Sequence, residues 1–224
     1  MYFSTARQRK GCSVNALTLV MVVLVGRKLK NGEHGVLMKL IVGMSGSSGV
    51  IYGIRLLQLL AGKNDIETHL VMSPSAKMNI SIETSWSIDD VESLADKVYS
   101  NKNIGATISS GSFKTSGMII APCSMKTLSG VVNSFSETLL IRAADVVLKE
   151  RRKLILVPRE TPLHMGHCEL LLRASRLGAI VCPPVPAFYN QPNSVQDIVD
   201  HTVMRLLDLY DIDVPGLVRW KGNN

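Results

Sequence analysis

From Lys39 onward, short apolar runs alternate with longer stretches in which apolar residues recur every three or four positions. Lys39-Leu-Ile-Val-Gly-Met44 is a β-type run that ends in the glycine-rich Ser45-Gly-Ser-Ser-Gly49. The next stretch places Ile51, Ile54, Leu57 and Leu60 on one face of a helix. Thr68–Met72 predicts a second strand, and Ser73-Pro74-Ser75 predicts a turn that starts another helix. Residues 83–112 are polar and weakly periodic, with a loop-like Ser109–Ser112. A third strand is predicted over Gly117–Ala121, and Pro122–Thr127 opens a helix. Thr138–Glu150 predicts a longer helix, Leu154–Val157 a fourth strand and Met165–Leu177 another helix. Ala179–Cys182 predicts a fifth strand, Pro183–Pro192 a proline-rich loop and Ser194–Tyr210 a last helix. Strands alternating with helices imply an α/β domain with a doubly wound parallel sheet.

Composition narrows this picture. The chain has 224 residues, 46% apolar and 19% charged, enough apolar material for a full core and too much for a disordered chain. Its net charge of +7 invites a polyanion-binding reading, but the charge is uneven. Residues 1–37 hold six Lys/Arg and one acid, Glu33, leaving 19 basic and 17 acidic side chains for residues 38–224. With only 5% aromatic residues, there is little surface for stacking nucleic-acid bases.

Residues 1–37 read as an N-terminal extension: disordered, targeting, or upstream of a true start at Met38. Its apolar run Ala16–Val25 is well short of the roughly 20 residues of a membrane span. Residues 38–224 read as one domain. The four cysteines, Cys12, Cys123, Cys168 and Cys182, form no C-x-x-C pair and suit a reduced, cytoplasmic protein.

In doubly wound sheets, ligands sit at the carboxyl ends of the strands. Here those ends carry Gly46-Ser-Ser-Gly49, Ser73, Ser124–Thr127 and Arg159-Glu160. One such serine is an ordinary helix cap. Hydroxyl residues at three strand ends together favour a phosphate-bearing ligand held by helix N-termini. The loop Gly43-Met-Ser-Gly46-Ser-Ser-Gly49 lacks the G-x-G-x-x-G spacing of dinucleotide sites, and Ser73 stands where such sites want an acid, so a mononucleotide fits better.

Arg142 and Lys149 lie seven residues apart, hence on one helix face, and with Arg151, Arg152 and Arg159 they bring cations towards the strand ends. Pairing of Arg142 with Asp145 on a solvated face is the plainer reading of that spacing. Glu160 is a candidate proton-transfer group or an ion-pair partner of Arg159. His164, His167 and Cys168 lack a fourth ligand of suitable spacing, so no metal is expected. The apolar loop Pro183–Asn190 suits a pocket or interface.

Five ordered segments resemble one known family: Met44–Gly53, Ser124–Gly130, Arg142–Arg152, Arg159–His164 and Pro183–Tyr189. They are similar to the UbiX family of flavin prenyltransferases, and the likeness runs from about Met38 to Trp220. The resemblance implies a flavodoxin-like Rossmann subunit in a homododecamer that binds FMN and uses no metal. It implies transfer of the dimethylallyl group of dimethylallyl monophosphate to N5 and C6 of reduced FMN. The prenylated FMN would serve a UbiD-type decarboxylase, for example in ubiquinone biosynthesis, with neither nucleic acid nor membrane span involved.

Carried onto this sequence, the resemblance assigns FMN contacts to Gly46, Ser47, Ser48, Ser73, Ser124, Met125, Lys126, Thr127 and Arg159. The prenyl phosphate falls to Arg142, Lys149, Arg159, Tyr189 and Arg205. Glu160 handles protons, Ser48 lies near the flavin N5, and Trp220 closes the pocket. The resemblance allows several of these residues to meet across a subunit boundary, so no single chain need hold the whole site. Two related readings share the fold, an FMN-dependent decarboxylase and a non-catalytic FMN carrier. The decarboxylase family's P-x-M-N-x-x-M-W segment is missing here, and a carrier would not need Lys149, Glu160 and Tyr189.

Overall fold

The computed structural model describes residues 37–215. Strand β1 (Met38–Met44) is followed by helix α1 (Val50–Leu60), β2 (Ile66–Met72), α2 (Pro74–Glu83), α3 (Ile88–Ser93) and β3 (Lys97–Ser100). Then come β4 (Gly117–Cys123), α4 (Met125–Val132), α5 (Leu139–Lys149), β5 (Lys153–Pro158), α6 (Met165–Arg176), β6 (Ile180–Val181) and α7 (Val195–Asp208). The six strands form one sheet in the order β3-β2-β1-β4-β5-β6, and every pairing is parallel.

Both faces of the sheet are covered, which is why its central strands read as nearly unbroken apolar runs. Along β1, Leu40, Val42 and Met44 enter one core and Ile41 the other. In β4, Ile119 and Ala121 face the first core, Met118 and Ile120 the second. The first core is closed by α1 through Val50, Ile54, Leu57 and Leu60, and by α7 through Val199, Val203, Leu206 and Leu207. The second is closed by α4 and α5, with Leu128, Leu139, Leu140, Ala143 and Val147. Helices α5 and α7 thus lie on opposite faces.

One strand differs from expectation. Among the described residues there are six strands where the pattern predicts five, because β3 lies inside the polar stretch 83–112. Its four residues are Lys-Val-Tyr-Ser at the sheet edge, three of them exposed, so neither face gives an apolar alternation to read. The last predicted strand is shorter than expected, reduced to Ile180–Val181.

Helix starts are fixed as the residue types suggest. Ser73 accepts a hydrogen bond from Ala76 N–H at 3.1 Å, with Pro74 in the first turn. In the first turn of α7, Ser194 and Asp197 form a reciprocal capping box. The strand order, not the strand direction, reverses between β1 and β4, the point where ligands settle in open α/β sheets.

Candidate functional site

The turns after β1 and β4 are locked to one another. Ser45 is fully buried; its Oγ accepts from Ser124 N–H at 2.7 Å and lies 3.2 Å from the Pro122 carbonyl oxygen. Its backbone N–H donates to the same carbonyl at 3.0 Å, and Ser73 N–H donates to Met44 O at 2.9 Å. Three strand ends are therefore held side by side as a rigid floor.

The glycine loop rises from that floor. Gly49 has φ of 105°, a left-handed conformation that lets the chain turn sharply into α1. A Cβ at Gly46 would stand 2.3 Å from Ser75 Cβ, so the loop passes too close to the start of α2 for any side chain there. Asn79 Nδ2 donates to Ser47 O at 3.1 Å, and Arg159 Nε donates to Ser48 O at 3.1 Å. Glu83, the last residue of α2, accepts from Gly49 N–H at 2.8 Å and from Val50 N–H at 3.3 Å. The loop is bracketed by α2 on one side and by the end of β5 on the other.

One atom in this bracket is unsatisfied. The Ser47 hydroxyl oxygen is buried and has no hydrogen-bond partner among the described residues. A buried polar atom left alone costs about 1–3 kcal/mol, so an unpaired hydroxyl in a preformed glycine turn is a place for a polar ligand atom.

The other expected cofactor contacts divide by what they already do. Ser124 Oγ accepts from Thr127 N–H at 3.3 Å, capping α4, and lies 3.2 Å from Thr127 Oγ1. Met125 packs into the second core, and Lys126 points to solvent. Burial pushes the neighbouring Cys123 thiol up to about 12, so it is no nucleophile at neutral pH. Tyr52 stands by the same loop; burial raises its phenol, and the nearby Arg159 cation pulls it back. The carboxylate of Glu160 is exposed and accepts from Thr161 N–H at 3.1 Å.

The expected phosphate clamp is not assembled within one chain. Helix α5 starts near the carboxyl end of β3, where Leu139 N–H donates to Asn101 O at 2.9 Å, and runs back to the start of β5. Arg142 and Lys149 are separated by about 10 Å along the axis. Lys149, in the last turn, therefore lies towards the amino ends of the strands, away from the glycine loop. Of the two cations that the spacing is expected to bring towards the strand ends, Arg142, in the first turn, lies at that pole and Lys149 does not; spacing fixes a helix face but not which pole it reaches. Arg142 pairs with Asp145 at 3.0 Å and donates to Ser109 O at 3.3 Å; Lys149 pairs with Glu150. Arg152 donates to the Gly111 and Phe113 carbonyls, a structural use.

Tyr189 and Arg205 form a third group on the opposite face of the sheet. The Tyr189 hydroxyl is 2.9 Å from His201 Nε2, and Arg205, one turn further along α7, pairs with Asp208. Trp220 lies outside the described residues, as does the expected extension up to residue 36. His164 and His167 stack with ring centroids 3.6 Å apart, and no group of three metal-ligating side chains occurs among the described residues. Nor is any helix among them long and apolar enough to cross a membrane.

Glu83, Asn79 and Tyr52 contribute to the loop without a motif in the sequence to mark them. Glu83 and Asn79 lie more than 30 residues from the loop they touch, on a helix whose polar sequence gives no motif. Tyr52 sits within the Met44–Gly53 segment itself, and its nearness to Arg159 appears only in the folded chain.

Comparison with known proteins gives a consistent result. The Flavoprotein family model matches residues 29–207. Flavin prenyltransferase UbiX of Escherichia coli K12 is 55% identical over 186 residues, covering 82% of this chain and 98% of that protein. The crystal structure of a dodecameric FMN-dependent UbiX-like decarboxylase from Escherichia coli O157:H7 superposes with a TM-score of 0.81 at 54% identity, covering 83% of this chain and all of that one. AnUbiX (PadA1), solved in complex with FMN and dimethylallyl pyrophosphate, also gives 0.81, at 44% identity over 84% of this chain and 99% of that one.

Proposed function

This chain belongs to the Flavoprotein family and, within it, to the UbiX flavin prenyltransferases, and we propose that it joins the dimethylallyl group of dimethylallyl monophosphate to N5 and C6 of reduced FMN. The observation that carries this reading is the orphaned, buried Ser47 hydroxyl in a glycine turn at the switch point of the sheet. The donor set fits a mononucleotide: serine and threonine hydroxyls at three strand ends, one of them unpaired, and one guanidinium.

When bound, reduced FMN supplies the nucleophilic nitrogen and carbon of the reaction. The chain's own residues do the rest. Gly46, Ser47, Ser48, Ser73, Ser124–Thr127 and Arg159 hold the FMN, and Arg159 orients Ser48 through its carbonyl. Arg142, Lys149, Tyr189 and Arg205 hold the prenyl phosphate with Arg159, and their cations stabilise the charge left as the allylic C–O bond ionises. Phe188, exposed on the Pro183–Asn190 loop, would add an apolar wall that keeps water from the allyl cation. Glu160 sits exposed at the mouth, free to move a proton during ring closure.

Because α5 and α7 lie on opposite faces, and Lys149 points to the opposite pole, these groups meet in one site only when several copies assemble. Each copy would lend its α5 cations, and its Tyr189 and Arg205, to neighbours. A dodecamer like that of the Escherichia coli O157:H7 relative supplies such boundaries. The working domain is residues 38–224, the setting cytoplasmic, and the recipient of prenylated FMN a UbiD-type decarboxylase. The test is release of inorganic phosphate from dimethylallyl monophosphate under anaerobic conditions. Release that requires reduced FMN supports the reading; release with oxidised FMN, or none, opposes it. Running the pyrophosphate in parallel identifies the donor.

A further inference from the structure

Tyr189 belongs to a loop without regular secondary structure, and its side chain is half exposed, with Phe188 beside it 71% exposed. A phenol on such a loop would sample several rotamers, and rotamer freedom is lost at a cost whenever a ligand is bound. Here the ring is held. Its hydroxyl is 2.9 Å from His201 Nε2, and the two rings meet edge to face at 82°, centroids 5.6 Å apart.

The histidine is itself anchored. His201 is half buried in α7, directly after Asp200, whose carboxylate takes both Nε and Nη2 of Arg55 on α1 at 2.7 and 3.1 Å. A two-point arginine–carboxylate pair fixes orientation as well as distance. Gln196 reaches the same carboxylate at 2.6 Å, and the Ser194–Asp197 capping box fixes the helix start. Arg205 lies four residues after His201, hence on the same helix face. A chain of fixed contacts therefore runs from α1 through Asp200 and His201 to the Tyr189 hydroxyl, which is held over the face that carries Arg205. A cavity of about 310 Å³ opens beside His201, between this loop and α7.

We infer that His201 is a positioning residue for phosphate recognition: its imidazole Nε2–H donates to the Tyr189 oxygen, so that the phenolic O–H is directed at the phosphate of the allylic donor. This rests on the proposed function, which places Tyr189 and Arg205 on that phosphate. No proton changes owner. His201 acts only by fixing where the phenol points.

The test is equilibrium binding of dimethylallyl monophosphate to the assembled protein loaded with oxidised FMN, where no transfer occurs. His201→Phe keeps an aromatic ring against Tyr189 but removes the nitrogen, and Kd should rise about tenfold, the loss of one hydrogen bond's ordering. His201→Asn, too short to reach, should behave alike and replaces the Phe variant if that one folds poorly. His201→Gln, which restores an N–H donor, should bind within about twofold of wild type on the same scale. Tyr189→Phe and the double variant Tyr189→Phe/His201→Phe should be equally weak, since His201 acts through the phenol. Wild-type affinity in both His201→Phe and His201→Asn, or additive losses in the double variant, would overturn the inference. Product formation from reduced FMN is scored separately in the wild type: its absence with this binding pattern intact removes the functional reading alone, and its presence with unchanged Kd values removes the His201 role alone.

Discussion

The carboxylate of Glu83 accepts a hydrogen bond of 2.8 Å from the backbone N–H of Gly49, at the start of the helix that follows the glycine loop. An acid from the end of α2 thus caps α1, with the macrodipole favouring its negative charge. Glu83→Ala removes that cap, and stability should fall by about 1 kcal/mol. For a domain of this size that is a melting temperature lower by roughly 2–4 °C, readable by calorimetry. Glu83→Gln keeps an acceptor and should lose less than half as much.

Arg159 ties the end of β5 to the glycine loop through Ser48 O. Arg159→Ala removes both a cation and the loop's tether, so FMN affinity should drop at least tenfold on the arithmetic of one charge-assisted hydrogen bond, about 1.5–3 kcal/mol. A flavin fluorescence titration reads this directly. Affinity equal to wild type would show that Arg159 faces elsewhere when FMN is bound.

Lys149 and Arg142 should separate binding of FMN from transfer. Lys149→Ala should leave FMN affinity within about twofold and lower the transfer rate roughly 100- to 1000-fold, the scale of losing one preorganised electrostatic donor. Co-assembling Lys149→Ala chains with Arg159→Ala chains should restore part of the activity, because some sites then receive an intact α5 from one copy and an intact loop from another. Mixed oligomers as inactive as their parents would mean that each site is built from one chain.

His69 is fully buried between Tyr99 and Phe113, and its Nδ1 meets the Tyr99 hydroxyl at 2.9 Å. Burial holds its pKa below the ordinary 6.5, and Glu67, 3.2 Å from Nε2, only partly offsets this. The unfolded chain therefore binds the proton more readily than the native one. Its contribution to stability is complete above pH 6.5 and is lost as the pH falls below it, through the native value. Thermal melts from pH 8 to 5 should show a fall that flattens in His69→Gln; parallel curves would exclude His69 as its source.

Much of this arrangement is legible in the sequence because the same residues serve packing and function. The apolar runs of β1 and β4 predict a doubly covered sheet, and that placement alone puts Ser45–Gly49 beside Ser124. Ser73, Ser124 and Ser194 cap helices where their sequence context says they should. What escapes is whatever depends on distance in space. Glu83 reaches Gly49 from 34 residues away, and Tyr189 meets His201 across a loop. The seven-residue spacing of Arg142 and Lys149 gives their common face, but only the direction of α5 shows that Lys149 faces away from its own glycine loop. Edge strand β3 escapes because its exposed Lys97, Val98 and Ser100 leave no buried face to mark it.

The most direct measurement is anaerobic incubation of the purified protein with reduced FMN and dimethylallyl monophosphate, followed by mass spectrometry of the extracted flavin. A flavin heavier by one five-carbon unit, formed only when protein, reduced FMN and donor are all present, is the predicted result. Recovery of FMN unchanged, from protein shown to bind both molecules, would contradict it.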